Sequence, residues 1–324
     1  YGGTMSASGN YYNEFNNKDT TDEYIDSAIA QNIQHSLRQY KYEGYFRHLL
    51  SLYEKDELTG TINRVVEDMN HRFTIEVLER EFKSNDLRIS ANNLRKDRFN
   101  PTTILDDIDI TSFTSILKDL LEIKNKEEMF IKIDEDHVRE IEEYLMALDL
   151  IDKIKILDSD TSKADRNRIV FTQPGLRYSQ AKSLVLSLSM DSLFRSLSAV
   201  EQKRVLERIL NEIKGRMTED IVLLETKLAK PQMDVFKLQF PDGEFDMVVL
   251  DPNNLQLEIY EIKYSEEVVE DQARHLKDEK KCESTTFRFG TIVKKGVLYR
   301  GKDIEVDGIV YQNIEEYLNN LGND

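Results

Sequence analysis

The sequence predicts an α+β or α/β chain in which helices come first and a sheet comes last. Three observations carry this expectation. Apolar residues recur at helical spacing up to about residue 230 and at every second position beyond it. Hairpin-type turn signals, Pro241-Asp242-Gly243 and Asp251-Pro252-Asn253-Asn254, punctuate the later part. The 324 residues are 40% apolar, enough for two or three cores and too much for wholesale disorder.

Residues 1–125 are expected to form a mainly helical region. The first twenty are rich in Gly, Ser and Asn and read as a loop. Asp22 is placed to cap a helix carrying Tyr24, Ile25, Ala28, Ile29 and Ile33 at i, i+3, i+4 spacing. Tyr45, Leu49, Leu50 and Tyr53 repeat that pattern, and so do Ile62, Val65, Val66, Met69, Phe73, Val77 and Leu78. Pro101 breaks the run, and another amphipathic helix follows over 111–123.

Residues 126–200 change character. Met129 to Ile133 alternates like a short strand, and Asp134 or Asp136 caps a helix through Leu148. Leu150 to Ile156 alternates as an edge strand does, and Arg168 to Phe171 is its expected partner, after a tight turn at Asp165-Arg166-Asn167-Arg168. A helix followed by a two-stranded ribbon is the outline of a winged helix, so this segment is expected to be winged-helix-like, with connecting helices from Ser179 onward.

Residues 201–324 are expected to be the α/β domain. A helix over 198–228, or two meeting near Gly215, ends at Pro231. Strands follow over 235–240, 244–250 and 255–264. Ser265 caps a helix to about Lys281, a fourth strand covers Phe287 to Val293, and a short helix begins after Asn313.

Composition narrows the function classes. Net charge is −17, the wrong sign for coating phosphate backbones, although a local basic patch for nucleic acid stays open. Clustered carboxylates favour divalent cations, and solubility alone also accounts for such a charge. Cys282 is the one cysteine, which excludes an intrachain disulfide framework and a multi-cysteine zinc site. No apolar run is long enough for a membrane span. The opening Tyr-Gly-Gly-Thr-Met lacks a leader's basic start and apolar run and has no initiator Met. A cytoplasmic fragment of a longer protein is therefore expected.

The residues that carry chemistry gather in the last domain. Asp246 stands near the start of one apolar strand, and Glu261-Ile262-Lys263 lies in the next. Side chains two apart share a face, and a hairpin sets Asp246 beside them. Glu219 lies on a helix that can pack over the sheet. Carboxylates converging with a lysine can hold Mg²⁺ or Mn²⁺ through oxygen ligands. Taken alone, Glu-x-Lys on a strand is commonly a solvated cross-strand ion pair.

Asp246 followed fifteen positions later by Glu261-Ile262-Lys263 resembles the PD-(D/E)xK nuclease superfamily, with Phe245 where the motif has proline. The resemblance implies a restriction-endonuclease-like fold with Asp246 and Glu261 as metal ligands. It also implies catalytic roles for Lys263, for Glu219 on the preceding helix and for Gln272 on the following one. The order of segments over nearly the whole chain also resembles the C-terminal region of bacterial AAA+ ATPases of the DUF4143 type. That implies an upstream ATPase domain as partner. The chain itself has no G-x-x-x-x-G-K-[ST] loop. The function expected is a metal-dependent phosphodiesterase domain; the alternative is a non-catalytic regulatory or interaction module that keeps the fold.

Overall fold

The computed structural model describes residues 3–5, 12–14, 47–54, 135–147, 149–173 and 199–321, with single residues between 57 and 65 and between 175 and 195. The chain divides into two compact units, 1–148 with 173–213, and 149–172 with 214–324. Most of the helical expectations over 20–125, the strand at 129–133 and the helix from Ser179 lie outside the described residues.

In the first unit, β1 (Gly3–Met5) and β2 (Tyr12–Glu14) pair antiparallel. Helix α1 (Arg47–Glu54) overlaps the periodic stretch read from the sequence; Leu49 is buried as that pattern expects, but Leu52 is buried in place of Leu50, which is exposed. Helix α2 (Glu135–Ala147) buries His137, Ile141, Tyr144 and Leu145 at i, i+4, i+7, i+8 spacing. Glu140 of α2 accepts hydrogen bonds from the main-chain N–H groups of His48 and Leu49, the first-turn donors of α1 that no helical carbonyl can satisfy.

The second unit is built on an eight-stranded mixed sheet. Its strands are β3 (Ile151–Asp158), β4 (Arg166–Phe171), β5 (Asp234–Phe240), β6 (Gly243–Asp251), β7 (Gln256–Ile262), β8 (Thr291–Tyr299), β9 (Ile304–Val306) and β10 (Ile309–Asn313). They lie in the order β4-β3-β5-β6-β7-β8-β10-β9. The pairs β3·β5, β7·β8 and β8·β10 are parallel and the others antiparallel. The mixed α/β architecture therefore agrees with the fold class that the periodicity predicts.

The ribbon β3–β4 forms where the sequence suggests, but it is built into this sheet. β3 is an interior strand, pairing with β5 from Lys155↔Phe236 to Asp158↔Gln239, and β4 takes the edge. The ribbon and α2 thus fall in different units. The tight turn expected at 165–168 sits earlier, because Arg166 already pairs with Ile156.

Helix α3 (Ala199–Ala229) is continuous through Gly215. Its Val222, Leu223 and Leu224 pack on one face of the sheet with Ile154, Val170, Val235, Met247, Val249, Tyr260 and Ile262. The helix α6 (Ile314–Asn320) closes that side with Ile314 and Tyr317, and its Asn313 cap accepts from the Glu315 and Glu316 N–H groups. The opposite face carries Phe236, Leu238, Phe245, Val248 and Ile259 against Ala273 and Leu276.

The connection after β7 differs from the single helix expected. It is a 3₁₀ turn (Glu270–Ala273), a short helix α4 (Arg274–Lys277) and a helix α5 (Glu279–Phe289) capped by Asp278. The helix reaches through Phe287, where a strand was expected, and β8 starts only at Thr291. Gly290 sets this boundary. Its φ of +120° belongs to glycine, and a side chain there would run into the Leu255 carbonyl.

Candidate metal centre

The site begins with a fault in the β5–β6 ladder. Phe236 pairs with Val248, but Leu238 pairs with Phe245, so Lys237 faces two residues, Asp246 and Met247. That is a β-bulge. Its effect is visible in the packing: Phe245 and Val248, three apart, both join the cluster on one face, which strict alternation forbids. Met247 joins the opposite cluster, and Asp246 turns toward Lys237 on the α3 side.

The bulge coincides with the end of the β6–β7 ladder, whose last pair is Met247↔Tyr260. Beyond it the strands part, and the Asp246 carboxylate takes over as acceptor. Its Oδ2 receives the Ile262 N–H at 2.9 Å and the Lys263 ammonium at 2.8 Å. The same Nζ donates to Glu261 Oε2 at 2.6 Å. Both carboxylates thus bind one ammonium, which brings them together as two ligands of one hard cation would be.

A second group of carboxylates adjoins the first. One oxygen each of Glu219, Glu244 and Asp246 lies within 4.8 Å of the others, a spacing that could hold a cation. Lys237, only 1% exposed, reaches all three, at 3.0 Å to Glu219, 3.3 Å to Glu244 and 3.9 Å to Asp246. Arg216 Nη1 binds Glu219 at 2.9 Å and lies 3.5 Å from Glu244. Arg168 of β4 binds Asp220 at 2.8 Å and lies 3.6 Å from Glu219. Four cations and five carboxylates are therefore packed together, a nearly neutral cluster inside an acidic protein.

The electrostatics follow from that packing. Burial opposes ionisation of Asp246, but the ammonium groups of Lys263 and Lys237 and the Ile262 N–H hold its carboxyl well below the usual range. Glu219 is likewise lowered: burial is outweighed by Arg216 and Lys237. Glu261 goes the other way. Burial first, and the neighbouring Asp246 charge second, push it well above the ordinary glutamate range despite Lys263. Lys237 and Lys263 are both raised, because adjacent carboxylates overcome the cost of burying the ammonium.

Four residues singled out in the sequence thus meet in one cluster: Glu219, Asp246, Glu261 and Lys263. Gln272 makes its hydrogen bonds elsewhere, to Ser265 Oγ at 2.8 Å and from the Val269 N–H at 3.4 Å. It fastens the loop before α4. Sequence reasoning missed Glu244, Lys237, Arg216, Arg168 and Asp220. Glu244 and Lys237 had a signal, since each lies on a strand of the Asp246 hairpin and interrupts apolar positions. Arg168 had none, because it reaches the cluster only through the long-range β3–β5 pairing. Among the described residues, no helix is long and apolar enough to cross a membrane. No family model, curated protein or solved structure matches the chain.

Proposed function

We propose that the second unit is a metal-dependent phosphodiesterase of the nuclease-like kind, with Asp246 and Glu261 as ligands of Mg²⁺ or Mn²⁺. The observation that carries this reading is the convergence of the two carboxylates on Lys263 where β6 and β7 separate. The donor set is all oxygen, which suits a hard cation. Burial and the neighbouring Asp246 charge raise the Glu261 carboxyl well above the ordinary glutamate range, and a cation beside it would favour its charged form. When bound, the metal supplies Lewis-acid activation of a phosphoryl oxygen and of a water.

The chain's own residues divide the remaining work. Asp246 is fixed by the Ile262 N–H and keeps its charge. Lys263 is 30% exposed at its side chain, so its ammonium can face both the carboxylates and a phosphate, where it would stabilise developing negative charge. Glu219 acts at one remove, by holding Arg216 and Lys237. The upstream ATPase implied by the resemblance, and nucleic acid held through a local patch that the charge balance leaves open, belong to this reading. The test is cleavage of single- and double-stranded DNA and RNA with Mn²⁺. Wild type should cut at least one of them, and Lys263→Ala should not; no cleavage of any substrate refutes the reading. The second reading, a non-catalytic module, is favoured by one observation: the cluster is nearly neutralised by its own cations.

A further inference from the structure

We propose that the Lys237 ammonium is the resident cation of the Glu219–Glu244–Asp246 triad, and that by standing there it confines a divalent ion to the Asp246–Glu261 side. The second clause rests on the metal-dependent reading above; the first does not.

The geometry is that of an occupied cation site. Three carboxylate oxygens lie within 4.8 Å of one another, and the ammonium stands 3.0, 3.3 and 3.9 Å from Glu219, Glu244 and Asp246. A divalent ion about 2.0–2.6 Å from the same oxygens would fall in the same space, against a like charge. Lys237 cannot readily retreat. It is 1% exposed on an interior strand, between Phe236 and Leu238, which are locked into the opposite face. Arg216 closes in on Glu219 and Glu244 as well.

The other side of Asp246 also carries an ammonium, that of Lys263 at 2.8 Å from Asp246 and 2.6 Å from Glu261, but this side chain is 30% exposed and can swing out where Lys237 cannot. Glu261 is 2% exposed, and its Oε1 receives no hydrogen bond from the described residues, although Oε2 is bound by Lys263. A buried carboxylate oxygen without a donor is costly unless a cation or a proton meets it. The triad is therefore assembled by a covalently tethered cation, which fixes Glu219 and Asp246 in place whether or not metal is present. The oxygen that remains to be satisfied belongs to Glu261.

Mn²⁺ titration calorimetry, with the bound ion counted by electron paramagnetic resonance, tests this on the full chain. Glu244→Gln should leave Mn²⁺ affinity within about twofold of wild type, because Glu244 faces the ammonium and not the metal. In EDTA it should lower the melting temperature. Lys237→Met should bind one Mn²⁺ more than wild type, and adding Glu244→Gln to it should remove that extra ion. A tenfold or greater loss of Mn²⁺ affinity in Glu244→Gln would show that the triad itself holds the metal and overturn the proposal. So would a Lys237→Met chain that takes up no extra Mn²⁺, or a Glu244→Gln chain that melts like wild type. A wild type that takes up no Mn²⁺ while Lys237→Met takes up one would support the ammonium assignment and sink the metal-dependent function.

Discussion

Asp246→Ala removes an acceptor that two donors share and a charge that a third cation faces. Lys263 and the Ile262 N–H lose bonds of 2.8 and 2.9 Å, and Lys237 loses the carboxylate at 3.9 Å. Breaking a buried ion pair from one side costs about 3–5 kcal/mol. The low end applies, because Lys263 is 30% exposed and keeps Glu261, while Lys237 keeps Glu219 and Glu244. Asp246→Asn should cost less, about 1 kcal/mol. Its amide oxygen still accepts the Ile262 N–H, and without the Asp246 charge Glu261 ionises more easily and takes over Lys263. Urea unfolding at pH 7 in EDTA should therefore separate the two variants by about 2 kcal/mol. Both should also lack the rise in melting temperature that the metal-dependent reading expects of the wild type in Mn²⁺. Equal costs for Ala and Asn, or an Ala cost below about 1 kcal/mol, would refute the account of Asp246 as the hub of the cluster.

Other outcomes follow from neighbouring residues. The folded pKa of Glu261 lies above its unfolded value of 4.5, so the unfolded chain loses that proton first and stability falls as pH rises from 4.5 through the folded value. Glu261→Gln should flatten that fall in metal-free melting curves and weaken the metal effect. Asp246 contributes the opposite limb: its stabilisation is present above pH 3.8 and lost as pH drops through the lowered folded value, a loss that Asp246→Asn should remove. Lys263→Ala should keep most of the Mn²⁺-induced rise in melting temperature while abolishing cleavage, since an ammonium is not a ligand. Gly290→Ala should cost at least about 1–3 kcal/mol in urea unfolding, because a side chain there meets the Leu255 carbonyl at a φ of +120°.

Local grammar made part of this legible. The alternation in β5 to β7, the hairpin turns and the Asn313 cap are decided within a few residues, and each is visible in the chain. The spacing from Asp246 to Glu261 and Lys263 likewise follows from one hairpin. What escaped depends on distant pairing or on a single backbone angle. The β3–β4 ribbon looks self-contained because its pairing is local, whereas β3 joins β5 across some eighty positions. The helix through Phe287 hides behind apolar residues that also suit a strand, and only the backbone angle at Gly290 tells them apart. Arg168 and Lys237 read as ordinary solvated charges until the fold buries them against Glu219, Asp220 and Glu244.

The bulge at Lys237 makes Asp246 a supernumerary residue. Phe245 and Val248 already face the two flanking positions of β5, and Met247 alone would fill the place opposite Lys237. Removing Asp246 as a single-residue deletion would therefore restore an unbroken ladder with every apolar side chain on its present face. Gain or loss of one codon at this point would switch the carboxylate pair on or off while the hydrophobic frame of the sheet stays intact. The acidic cluster and the apolar frame of the sheet are thus separable by length as well as by side-chain identity.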